Sequence, residues 1–180
     1  MQTWSTIPPG ASVSRVSGLF SFPNPVNEYA ARAAAGLVVV LAVVTIVAGQ
    51  WWLYAALAIG FALRVAGGPR YSPFGRLSVH VIAPKLGPAK LVPGPPKRFA
   101  QTIGLVFSTV ALVLYLTGSH VAAQVVLGLL VVAALLESAA GVCLGCIAFG
   151  FLQRRGVIPA SVCEACAGVN TTPPTLTVPQ

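Results

Sequence analysis

Four long runs of this chain are almost free of charge: Ala33 to Gly49, Trp51 to Val65, Phe99 to Gly118 and Val121 to Gln153. Only Arg64 and Glu137 interrupt them. Hydrocarbon offers no water to an unpaired backbone group, so runs of about 20 apolar residues cross a bilayer as helices. Extended back through Tyr29, the first run is long enough to cross. The second opens with Trp51, Trp52 and Tyr54, the aromatic residues expected at headgroup level. The fourth would be roughly 50 Å long as one helix. It is expected to break or project from the bilayer, with Gly141, Gly145 and Gly150 as the places.

Composition supports the same class. The chain of 180 residues is 56% apolar and only 8% charged, against about a quarter charged for a soluble domain. A soluble globule is excluded. The formal charge of +8 could mean nucleic acid, an anionic surface or retained loops, and its placement decides. Arg70, Arg76, Lys85, Lys90, Lys97 and Arg98 all fall in one loop between the second and third runs, Arg64 precedes it, and Arg154 and Arg155 close the fourth. Lys and Arg stay on the cytoplasmic side. The expectation is an all-α protein of the inner (plasma) membrane. It has four spans in two helical hairpins, both termini in the cytoplasm, a basic inner loop and a short Cys-rich inner tail. Nucleic acid is not needed to explain the charge, and the lipid bilayer is the first partner.

Residues 1–28 read as a flexible N-terminal segment without the apolar core of a signal peptide. Residues 29–169 form the membrane domain, and residues 170–180 a Thr- and Pro-rich disordered tail. Inside the basic loop Ser72-Pro73 starts a helix, with Phe74, Leu77 and Val81 on one face. That helix either lies on the inner leaflet or is a solvated connector. Pro84, Pro88, Pro93, Pro95 and Pro96 stiffen the return.

The four cysteines stand as Cys143-x-x-Cys146 and Cys163-x-x-Cys166. A reducing cytoplasm disfavours structural disulfides, leaving a metal site or working thiols. The spacing matches a four-thiolate zinc site, with Arg154 and Arg155 offsetting the negative charge, and such a Zn²⁺ would be structural. The redox alternative rests on Ser161-Val162-Cys163-Glu164, which has the form of a capping box. It places Cys163 in a first helical turn, where thiolate is favoured. Cys163 then attacks, Cys166 resolves, and Cys143 with Cys146 relays at the bilayer edge. Both readings stay open.

Glu137 is the one acid inside a span, and intramembrane carboxylates are costly enough to mark function or an ion pair. Arg64 is the expected partner, with Lys97 or Arg98 as alternatives. Gly141-x-x-x-Gly145 permits close helix approach. His80 and His120 fall on opposite sides of the membrane and cannot share a metal. No phosphate loop, Ser/His/Asp pattern or H-E-x-x-H occurs.

Several segments together carry a resemblance: Phe61-Ala62-Leu63-Arg64, Gly68-Pro69-Arg70-Tyr71-Ser72-Pro73, Pro96-Lys97-Arg98-Phe99-Ala100-Gln101 with Ile103-Gly104, Leu136-Glu137-Ser138, and Gly141-Val142-Cys143-Leu144-Gly145-Cys146. Over roughly residues 25–167 the chain resembles the DUF4395 family of bacterial membrane proteins, common in actinobacteria, whose function is not established. The resemblance implies a membrane fold. It also implies a thioredoxin-like or rhodanese-type sulfurtransferase partner, which points the cysteines toward thiol or sulfane-sulfur handling. The alternative is a non-catalytic scaffold or assembly factor holding zinc. A small-solute transporter is a weaker third reading, one that would need a homo-oligomer to supply a pathway.

Overall fold

The computed structural model describes residues 26–68, 71–87 and 90–163. The expected flexible N-terminus, the disordered tail, Arg70, Glu164 and Cys166 lie outside the described residues.

The described chain is helical apart from one two-residue strand pair, β1 (Val26–Asn27) with β2 (Leu91–Val92), antiparallel. Helix α1 (Glu28–Ala48) starts because the Asn27 side chain accepts the Tyr29 N–H at 3.1 Å and Glu28 lies at the positive end of the helix dipole. It stops at Gly49, which takes the left-handed conformation (φ 59°) and donates its N–H to the Thr45 carbonyl. Helix α2 (Trp51–Gly67) follows after two residues and ends in a glycine pair. Next come α3 (Pro73–Leu77), a π-helical turn (Ser78–Ile82) and α4 (Ala83–Leu86), then α5 (Gly94–Leu116) and α6 (His120–Leu135). A second π turn (Leu136–Ala140) continues α6, and α7 (Leu144–Arg154) and a 3-10 turn (Ala160–Val162) complete the order.

Among the described residues three stretches are long and apolar enough to cross a bilayer: Glu28–Ala48, Gly94–Leu116 and His120–Ala140. The fourth expected span, α2, has 17 residues. At about 1.5 Å per residue it is roughly 26 Å long, a little less than the roughly 30 Å of a hydrocarbon core.

The bundle core joins Val38 and Ala42 of α1, Tyr54, Leu57 and Phe61 of α2, Ala111 of α5, and Ala123, Leu127, Leu130 and Ala134 of α6. Helix α2 packs most extensively on α5, α5 on α6, and α6 on α1, whereas α1 and α2 touch much less. Gly104 makes the α2–α5 seam close, because a β-carbon there would run into the Phe61 ring.

Helix α5, the third expected span, begins at Gly94, five residues before the expected Phe99. Pro95 and Pro96 start it rather than merely stiffening its approach, since a fixed φ near −65° suits the first helical turn. Lys97 and Arg98 therefore belong to the helix. The Ser72-Pro73 helix start is present, with Pro73 in the first turn.

Candidate functional site

The long fourth run breaks at Gly141, the first of the three expected places. Gly141 takes φ 70° and closes the π turn, donating to the carbonyls of Glu137 and Leu136. That conformation disfavours any residue with a β-carbon. Cys143 follows in extended geometry and becomes the N-cap of α7, its sulfur accepting the Cys146 N–H at 3.2 Å. The break resets the helical phase between Glu137 and the cysteines.

Arg32 of α1 secures the break. Its Nε donates to the Ser138 carbonyl at 3.1 Å and its Nη2 to the Ala139 carbonyl at 2.8 Å, satisfying acceptors that a helix end leaves without partners. A β-carbon at Gly141 would stand 3.5 Å from both Arg32 Nη1 and Glu28 Oε1. Sequence reasoning missed Arg32. Its signal was a lone arginine one helical turn after Glu28, at the head of an otherwise uncharged run.

Glu137 pairs with Lys97, Nζ to Oε1 at 2.7 Å, and this corrects the Arg64–Glu137 pair expected from the sequence. The early start of α5 brings Lys97 within reach of the π turn. Arg64 is buried, its guanidinium lying 5.0 Å from the Phe61 centroid and 6.0 Å from that of Phe74. Its Nε has no hydrogen-bond partner among the described residues. Glu28, the other described acid, pairs with Lys90 at 2.8 Å, and its N–H donates to the Lys90 carbonyl at 2.8 Å. The Glu28 carboxylate holds the Lys90 ammonium above its ordinary pKa, chiefly through their hydrogen bond.

The first cysteine pair is closed as a disulfide, Cys143 to Cys146, with α-carbons 5.2 Å apart. Cys163 also stands in a disulfide. An extended N-cap residue and the first turn after it bring the two sulfurs of the first pair within bonding distance. Among the described residues no three His, Cys, Asp or Glu side chains gather as a metal group. Any zinc held by Cys143 and Cys146 requires their bond to be reduced first, because thiolate is the metal ligand.

Cys143 is buried and Cys146 partly exposed. Gly145 between them seats α7 on α5, since a β-carbon there would lie 2.6 Å from the Ala100 α-carbon. The expected Gly141/Gly145 packing pair therefore divides its work, one glycine making the break and the other the close approach. Beyond Gly145 the seam continues through Phe149, edge-on to Phe99 at 5.7 Å. It opens into a cavity of about 460 Å³ lined by Arg98, Phe99, Thr102, Phe149 and Val162 among others.

Cys163 is buried, and its carbonyl accepts from Gln153 Nε2 at 3.1 Å. Ser161 lies inside the 3-10 turn rather than capping a helix from outside it. The remainder of the expected capping box, at Glu164, falls outside the described residues. His120 packs edge-on against Tyr115 at 4.6 Å, whereas His80 is exposed in the segment joining α2 to α5. The two occupy elements at opposite ends of α5.

This is a helical fold with membrane-type apolar helices and a C-x-x-C disulfide at a helix N-terminus. A family model described as a domain of unknown function, DUF4395, matches residues 26–154, and the chain belongs to that family. The match runs from the first residue of β1 to the last of α7, so it contains Cys143 and Cys146 but stops before Cys163. No curated protein and no solved structure matches the chain.

Proposed function

We propose that this is a multi-pass inner-membrane protein that exchanges thiols or sulfane sulfur with a thioredoxin-like or rhodanese-type partner through Cys143 and Cys146. The carrying observation is the Cys143–Cys146 disulfide at the start of α7, where the buried sulfur accepts a backbone N–H.

An incoming thiolate attacks the more accessible sulfur, Cys146 Sγ. The Cys143–Cys146 bond breaks as the new one forms, and Cys143 leaves as thiolate. The Cys146 N–H and the α7 N-terminus favour negative charge there. A second thiol resolves the mixed disulfide, so two electrons pass from two thiols to the protein disulfide. In this scheme the first pair acts before the second, the reverse of the order suggested by the Cys163 capping box. Cys163 and Cys166 serve as the onward pair.

Residues with unusual exposure support the membrane placement. Val47 is 81% exposed and Val121 74%, side chains that a bilayer rather than water would cover. In this placement α1, α2, α5 and α6 cross, with α2 fitting by local thinning of the lipid. The basic loop and both termini face the cytoplasm, following the positive charges.

Anaerobically purified protein, assayed for zinc and free thiols and then mixed with a reduced thioredoxin-like protein lacking its resolving cysteine, tests the proposal. The single partner thiol should stay in a mixed disulfide on Cys146, with Cys143 released as a free thiol. One tightly held zinc per chain with no exchange would overturn the proposal in favour of the structural scaffold. Labelling of the cysteines by an impermeant maleimide on intact spheroplasts would overturn the orientation.

A further inference from the structure

The segment Pro73–Leu86 has two unlike faces. Toward α1 it presents Gly75, Ser78 and Ala83, all buried, and α3, the π turn and α4 each contact α1. Ser78 and Ala83 are five residues apart, a spacing that would put them on different faces of a regular α-helix. The π turn corrects the phase, with the Ala83 N–H donating to the Ser78 carbonyl. Small residues are thereby kept against α1 along the whole segment.

Among the described residues the opposite face is exposed. Leu77 is 42% exposed and Val81 46%, one turn apart, and Arg76, His80 and Lys85 beside them are exposed. No acidic residue occurs between Glu28 and Glu137, and these two carboxylates are already paired with Lys90 and Lys97. The segment also joins α2 to α5 at the end of the bundle where the ion pairs lie. Apolar side chains flanked by cations, with no acid to neutralise them, complement a surface of acyl chains beneath anionic headgroups.

We infer that Pro73–Leu86 is an anionic-lipid contact: Leu77 and Val81 sit at the acyl boundary, and Arg76 and Lys85 bind phosphodiester headgroups. A basic residue at an anionic surface is worth about fivefold in binding, so the pair should give tenfold or more.

The test is hydrogen exchange of the full-length protein in nanodiscs of phosphatidylcholine alone and of phosphatidylcholine mixed with phosphatidylglycerol. Amides of residues 74–86 should exchange about tenfold more slowly in the anionic discs, and high salt should erase the difference. In the Arg76→Gln/Lys85→Gln variant the difference should fall below about twofold, while α5 and α6 amides keep their protection and so report an intact fold. Equal exchange of the wild-type segment in both discs would overturn the inference. So would a lipid effect that survives the double substitution, or protection in lipid-free detergent accompanied by a two-chain mass, which would assign the face to a second copy.

Discussion

The two ends of the bundle are built on opposite principles. At one end α1 turns into α2 at Gly49 and α5 turns into α6 at Gly118, and the closure is aromatic and neutral. Tyr54 stacks on Tyr115 with centroids 4.6 Å apart, His120 meets Tyr115 edge-on, and the Tyr115 hydroxyl donates to the Gly49 carbonyl. At the other end stand Glu28, Arg32, Arg64, Lys90, Lys97 and Glu137, together with both π turns, the Gly141 break and the cysteine pair. Among the described residues the ion pairs and the π turns gather at this second end. Such features persist where surrounding contacts hold them in place, which is why the chemistry is sought there.

Four substitutions, with Glu137→Gln and Gly60→Ala as controls, would break or sharpen that contrast, taken from the largest expected effect down. Replacing Cys146 with Ser should abolish exchange with a thioredoxin-like protein, measured by mixed-disulfide mass, while the same assay should be indifferent to Tyr115→Phe at the neutral end. Lys97→Met would leave the Glu137 carboxylate partly buried without its cation, which typically costs about 3–5 kcal/mol. Thermal unfolding should show that loss, and adding Glu137→Gln should recover most of it.

Gly145→Ala forces a β-carbon against Ala100 and should cost about 1–3 kcal/mol as an overpacking change. Because α7 is displaced from α5, the reduction rate of the Cys143–Cys146 bond should change with it, whereas Gly60→Ala, with open space around it, should alter neither. Tyr115→Phe removes one hydrogen bond at the neutral end. Its expected loss is about 1 kcal/mol, readable as a small fall in the unfolding midpoint with full exchange activity retained.

Arg32 and Lys97 show where sequence reading stops. The apolar runs, the basic loop and the fragility of the fourth run near Gly141 are local properties, carried by residue type and spacing. The helix start at Ser72-Pro73 is local too. That Arg32 would secure carbonyls more than a hundred positions away is not, because nothing near it in sequence reports the partner. The same holds for Glu137. Its need for a cation was evident from its setting, but choosing Lys97 over Arg64 depended on where α5 begins and on Phe61 and Phe74 receiving the guanidinium.

What the sequence settled on its own was a question of solvent: long uncharged runs satisfy their backbone only as helices, and the cations between them mark one end of the bundle. The pairing of Glu137, the latch by Arg32 and the role of Cys143 as a helix cap were decided by tertiary structure. Each depends on the relative depth and rotation of helices that are distant in sequence, quantities set by side-chain packing such as Gly104 on Phe61 and Gly145 on Ala100.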